Sequence, residues 1–115
     1  MAGISLILFI TAITMGATTL WRGLRQGRPA VILGYAHATT ALTALTVLGV
    51  RVFTGPENLL LNSAFFVFLL AAIGGLFTLA VRGRNEPVML PLILLHATAA
   101  VVAVLLLIAG VAAGG

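Results

Sequence analysis

The chain is 115 residues long, 62% hydrophobic and 7% charged, with a mean hydropathy of +1.26. That balance lies outside the range of soluble globular domains and reads as an integral membrane protein with room for one domain, residues 1–115. It contains no cysteine, which excludes a disulfide framework, a thiolate metal site and an iron–sulfur cluster built from this chain. The formal charge of +4 comes from six arginines set against two glutamates, with no lysine. In a membrane protein such arginines are first a topology signal, so no nucleic-acid partner is expected.

A bilayer core needs roughly 20 apolar residues per helix. Four such runs follow one another, at about 3–20, 30–53, 59–81 and 88–111. The first has no basic residues before it and its arginines after it, so it reads as a retained helix and not as a cleaved leader. Next comes "WRGLRQGRP" (21–29), a loop carrying Arg22, Arg25 and Arg28. The second run ends at "TGPEN" (54–58), where Arg51 is offset by Glu57, and the third at "RGRNEP" (82–87), with Arg82 and Arg84. Pro29, Pro56 and Pro87 stand where a helix can begin, since its first turn does not use its N–H groups. Pro91 sits one turn into the fourth run, where a mild kink is expected. By the positive-inside rule the first and third loops face the cytoplasm and both termini the periplasm. Arg without Lys, with abundant Ala, Leu and Gly, fits a GC-rich bacterial genome, hence the inner (cytoplasmic) membrane.

Set against itself at an offset of 59, the chain matches at 14 of 50 positions without a gap, from Phe9/Phe68 through Ala12/Ala71, Gly16/Gly75 and Arg25/Arg84 to His37/His96 and Val52/Val111. The expected fold is therefore all-α: an integral membrane four-helix up-down bundle built from two tandem helical hairpins.

The only two histidines, His37 and His96, fall on the second and fourth helices, each followed by Ala-Thr. In an up-down bundle those helices are diagonal and parallel, and the gapless repeat puts the imidazoles at one depth, about 12–13 Å past the loop at 1.5 Å per residue. A single b-type haem held by His37 and His96 as axial metal ligands satisfies this placement. Small residues supply a slot for the porphyrin: Gly34, Ala38, Ala41 and Ala44 near His37, Ala99, Ala100 and Ala103 near His96, with Ala12, Ala71, Gly16 and Gly75 on the other two helices. Small residues also let membrane helices pack closely, which is the plainer account of the glycines. Arg28, nine residues and about 13.5 Å before His37, and Arg84, its nearest counterpart across the repeat, are the candidate partners of the haem propionates.

This placement of histidines and small residues resembles the haem-binding four-helix bundle of the cytochrome b in quinol-oxidising complexes, and more loosely the small membrane cytochromes b that anchor dehydrogenases. The resemblance is architectural. In that family each ligand helix carries two histidines, for two stacked haems; here the positions fourteen residues beyond His37 and His96 are Arg51 and Gly110. The resemblance implies one haem, on the cytoplasmic side, in a subunit that relays electrons within a larger respiratory or quinone-linked complex. Other membrane redox subunits are the implied partners, with quinone a further candidate, and the chain is at most an electron-transfer subunit of an oxidoreductase.

Other readings fare less well. Small multidrug exporters have this length and span number but rely on a carboxylate in the first helix, and residues 3–20 contain none. A zinc or copper site needs three or four protein ligands, which two histidines with distant Met15 and Met89 do not supply. The alternative that stands is a redox-silent accessory subunit, its threonines 11, 14, 18, 19, 39, 40, 43, 46 and 98 bonded to i−4 carbonyls.

Overall fold

Helices apolar on every side have no face to hide from lipid, so burial inside the bundle is decided by side-chain size and not by hydrophobicity. The computed structural model describes residues 1–26, 31–82 and 90–114, and four helices account for nearly all of them: α1 (Ala2–Gln26), α2 (Val31–Thr54), α3 (Leu59–Arg82) and α4 (Leu90–Ala112). Each holds a stretch long and apolar enough to cross a membrane, and at 1.5 Å per residue a 24-residue helix covers about 36 Å, enough for a hydrocarbon core of about 30 Å. Large side chains such as Ile7, Ile32, Phe66 and Leu95 point outward, and the chain is a membrane-integral bundle.

The packing repeats the sequence. Helix α1 lies mainly against α2 and α3 mainly against α4, while the two hairpins meet more lightly along the α2–α3 and α1–α4 seams. Two hairpins joined up-down-up-down follow from this, related by the offset of 59. Core residues come in corresponding pairs: Phe9 with Phe68, Ala12 with Ala71, Ala44 with Ala103, Leu48 with Leu107.

Helix α1 runs to Gln26, well past the expected end near residue 20. Arg25 lies one turn beyond Trp21, its guanidinium 5.7 Å from the centre of the ring, a cation–π contact that helical i,i+4 spacing favours. Helix α3 starts at Leu59, as the third apolar run does, and Asn58 caps it. The Asn58 Oδ1 accepts from the Leu60 and Leu61 N–H groups, and its Nδ2 donates to the Gly110 carbonyl at 3.2 Å, fastening α3 to α4. The described part of α4 opens at Leu90, with Pro91 in its first turn; Pro29 and Pro87 lie outside the described residues. Most of the expected threonine bonds to i−4 carbonyls are present, from Thr11 to Thr98. Thr39 makes none, and Thr40 reaches instead to Met15 Sδ at 3.6 Å.

The core is not evenly distributed along the bundle. At the end holding the termini and the α2–α3 connection, Ala2, Ser5, Phe9, Ala44, Leu48, Leu61, Ala64, Phe68, Ala103 and Leu107 are all nearly or wholly buried. Ser5 Oγ donates to the Ala44 carbonyl there at 3.1 Å. Phe9 and Phe68 close this half, stacked face to face with centroids 3.5 Å apart and planes within 1°. Aromatic pairs ordinarily prefer an offset or an edge contact. Here one residue type at one depth on two facing helices leaves the face-to-face arrangement. Beyond Ala12 and Ala71, toward the other end, Gly34 alone among the described residues is buried.

Removing either stacked ring should therefore cost more than removing a ring that faces lipid. Phe9→Ala or Phe68→Ala is expected to lower stability by about 3 kcal/mol, the usual loss for a large core side chain, and Phe66→Ala by less than about 0.5 kcal/mol. Reversible unfolding in bicelles measures both; equal losses at Phe66 and Phe68 would contradict the placement of the core.

Candidate functional site

The two histidines stand at the boundary between the packed half and the open half. Each is held in the same way by the other helix of its own hairpin. His37 Nδ1–H donates to the Ala12 carbonyl at 2.6 Å, and His96 Nδ1–H donates to the Ala71 carbonyl at 2.7 Å. A carbonyl oxygen only accepts, so the bond requires the proton on Nδ1 and leaves the Nε2 lone pair of a neutral ring free. Metal-binding histidines are oriented by this kind of second contact, which fixes the tautomer and presents the other nitrogen.

The glycines make these bonds possible. A Cβ on Gly16 would lie 2.9 Å from His37 Cε1, and one on Gly75 would lie 2.8 Å from His96 Cε1. Either distance is about 0.5 Å short of ordinary contact. Gly16 and Gly75, expected against a porphyrin, thus sit against the imidazoles themselves. Without a Cβ at these points each ring can lie on the neighbouring helix's backbone, near enough to bond the carbonyl one turn away.

Across the bundle the two rings are 6.2 Å apart, centre to centre, with planes at 85°. This separation serves as an edge-to-face aromatic contact, for which centroids lie about 4.5–7 Å apart. It also matches one metal ion between two imidazoles: with nitrogen–metal bonds of about 2.0–2.1 Å and a ring centre about 1.1 Å behind each nitrogen, the centres fall about 6.2–6.4 Å apart. Both histidines line a cleft of about 50 Å³ with Ala41 and Ala100, floored by Phe9 and Phe68. Gly34 is buried one turn before His37. Beside His96 a second cleft of about 250 Å³ opens between α3 and α4, bordered by Gly74 and Ala99. The corresponding positions of the first hairpin are Met15 and Thr40, whose side chains meet and occupy the equivalent place.

The ring separation is that of an edge-to-face aromatic contact, and neither cleft offers lateral room for a porphyrin. Sites for molecules of that class are roughly 300 Å³ or more, larger than either cleft. Contact between the hairpins is lightest along the α1–α4 and α2–α3 seams. Arg28 and Arg84, the proposed propionate partners, lie outside the described residues. No group of three or more potential metal ligands occurs among the described residues; His37 and His96 are two. What the residue pattern did not reveal is the role of the Ala12 and Ala71 main chains, although both carbonyls lie 25 positions before their histidine, an interval the gapless repeat preserves.

The tautomer is open to direct measurement. Nitrogen-15 NMR of histidine-labelled protein in bilayers at alkaline pH, without added cofactor, should show both imidazoles protonated at Nδ1. Gly16→Ala should abolish that signature at His37 alone, and Gly75→Ala at His96 alone; an Nε2-protonated ring in the unmodified protein would contradict the hydrogen bonding described.

No protein-family model, curated protein or solved structure matches this chain, so the functional reading rests on the repeat, the histidine pair and the geometry around it.

Proposed function

We propose that this protein is a membrane b-type cytochrome subunit that holds one haem b between His37 and His96 and relays single electrons within a larger respiratory or quinone-linked complex. The observation that carries the proposal is the pair of imidazoles 6.2 Å apart, each anchored through Nδ1 to the equivalent carbonyl so that Nε2 is left to bind. The other half of the bundle supports it, since membrane helices associate through packing and Gly34 alone is buried there among the described residues. A haem held there supplies reversible one-electron chemistry at iron, with its potential tuned by axial ligands and surroundings.

In this reading the chain's own residues have distinct tasks. His37 and His96 ligate; the Ala12 and Ala71 carbonyls orient them; Gly16 and Gly75 admit their rings; Gly34, Ala41 and Ala100 leave room beside them. Phe9 and Phe68 close the site on the terminal side. Arg28 and Arg84 neutralise the propionates at the interface, where anionic groups avoid the cost of entering hydrocarbon. The first and third loops then lie on the cytoplasmic side of a bacterial inner membrane and the termini in the periplasm. Substrate chemistry falls to partner redox subunits, with quinone as the candidate small-molecule partner.

The second reading, a redox-silent accessory subunit, draws on the same hydrogen bonds. Both join helices within a hairpin, so they fasten α1 to α2 and α3 to α4 with or without a cofactor.

A spectrum separates the two. Protein produced with ample haem and reduced with dithionite should show the sharp α-band of a low-spin six-coordinate b haem at one haem per chain. His37→Ala or His96→Ala should abolish it. Arg51→Ala, whose side chain bonds the Pro56 carbonyl at the far end of the bundle, should leave it unchanged. A colourless, well-folded preparation would establish the accessory reading instead.

A further inference from the structure

Helix α1 is longer than a hydrocarbon core requires. Its 25 residues cover about 37 Å at 1.5 Å each, against about 30 Å of hydrocarbon. Measured from Ala2, the hydrocarbon ends near Trp21, and Arg22, Arg25 and Gln26 stand in the headgroup layer. The chain's one tryptophan and one tyrosine agree on this level. Trp21 lies five residues before the end of α1 and Tyr35 four residues after the start of α2, and both are exposed. Exposed indole and phenol rings belong at the junction of hydrocarbon and headgroups, where one end of the ring is apolar and the other wet.

Three side chains make a continuous patch at that level. Arg25 is four residues past Trp21 and three past Arg22, so the three are neighbours on the helix surface, and all are exposed. The Arg25 guanidinium lies 5.7 Å from the centre of the Trp21 ring, and a guanidinium stacked on an aromatic face still has N–H groups to offer an anion. Among the described residues neither arginine has an acid partner, since Glu57 belongs to the α2–α3 connection at the opposite end. The carboxyl end of α1 adds a partial charge of about −0.5, which the two guanidiniums outweigh.

We propose that Trp21, Arg22 and Arg25 form a binding surface for the headgroups of anionic phospholipids in the leaflet that the first loop faces. The indole sets the depth, Arg25 is presented beside it, and Arg22 supplies the second cation for the phosphate. The patch starts at the edge of the hydrocarbon, level with the phosphates of the surrounding lipid, which favours a lipid over an acidic protein. The surface is independent of whether the bundle holds haem.

Trp21, as the only tryptophan, reports on its own neighbourhood. The test is quenching of its fluorescence in the full chain, reconstituted in phosphatidylcholine vesicles that contain an equal mole fraction of brominated phosphatidylglycerol or brominated phosphatidylcholine. At low salt the anionic quencher should be preferred by about fivefold or more, the effect of roughly one arginine near an anionic surface. In 1 M NaCl, where the Debye length is about 3 Å, the preference should fall severalfold. The double variant Arg22→Gln, Arg25→Gln should bring it toward one, and each single variant should fall between, so a failure of the double variant to insert leaves the singles to decide. Arg51→Gln, at the opposite end, should change nothing. Each ratio is taken against the same variant's unquenched emission, so loss of the Arg25–Trp21 contact does not enter it. Equal quenching by the two lipids at low salt would overturn the assignment and leave these arginines to topology or to an acidic partner. A preference kept in full by the double variant would overturn it by placing the anionic lipid against other residues.

Discussion

Everything specific about this bundle depends on a close approach: an imidazole laid against the backbone of the neighbouring helix, at Gly16 in one hairpin and Gly75 in the other. Only glycine permits it. The approach brings Nδ1 to a main-chain carbonyl at 2.6–2.7 Å, which fixes the tautomer and the ring's direction together. Because helix carbonyls already accept an i+4 N–H, this second bond uses their remaining lone pair and disturbs no helical hydrogen bond. A polar side chain inside a membrane is expensive unless satisfied, and this arrangement satisfies the Nδ1 side of each imidazole.

The second constraint is the uneven core. In hydrocarbon there is little hydrophobic force drawing helices together, so close packing and interhelical hydrogen bonds have to hold the bundle. One half has both, with stacked Phe9 and Phe68, interlocked Leu48, Leu61 and Leu107, and bonds from Ser5 and Asn58. The other has two helical hairpins standing side by side with small residues between them. The division falls at the histidines. The stacked Phe9 and Phe68 tie α1 to α3 at one depth.

Much of this was legible in the residues. The four spans were set by hydropathy and length, and the tandem hairpins by the gapless repeat, because equal spacing leaves no freedom in which residues share a depth. His37 and His96 meet across the bundle for that reason. The ends of elements were less legible: α1 continues to Gln26, where Arg25 meets Trp21 at helical spacing, a gain that composition alone does not register. The orientation of the histidines was not legible at all. Their acceptors are main-chain carbonyls of alanines, and a carbonyl belongs to every residue type, so no letter in the sequence marks it. The glycines carried a signal, read both as close helix packing and as room for a ligand; the structure puts the imidazoles against them.

The central claim is that two imidazoles, one from each hairpin, share one iron through Nε2 while Nδ1 stays bonded to protein. Pulsed electron paramagnetic resonance of the ferric protein, prepared with nitrogen-15 histidine, tests it most directly. The account predicts a low-spin ferric signal with two strongly coupled imidazole nitrogens and two weakly coupled, protonated remote ones, and loss of that low-spin signal in either single histidine variant. A low-spin signal with a single histidine nitrogen bound, or a high-spin signal in the unmodified protein, would contradict it.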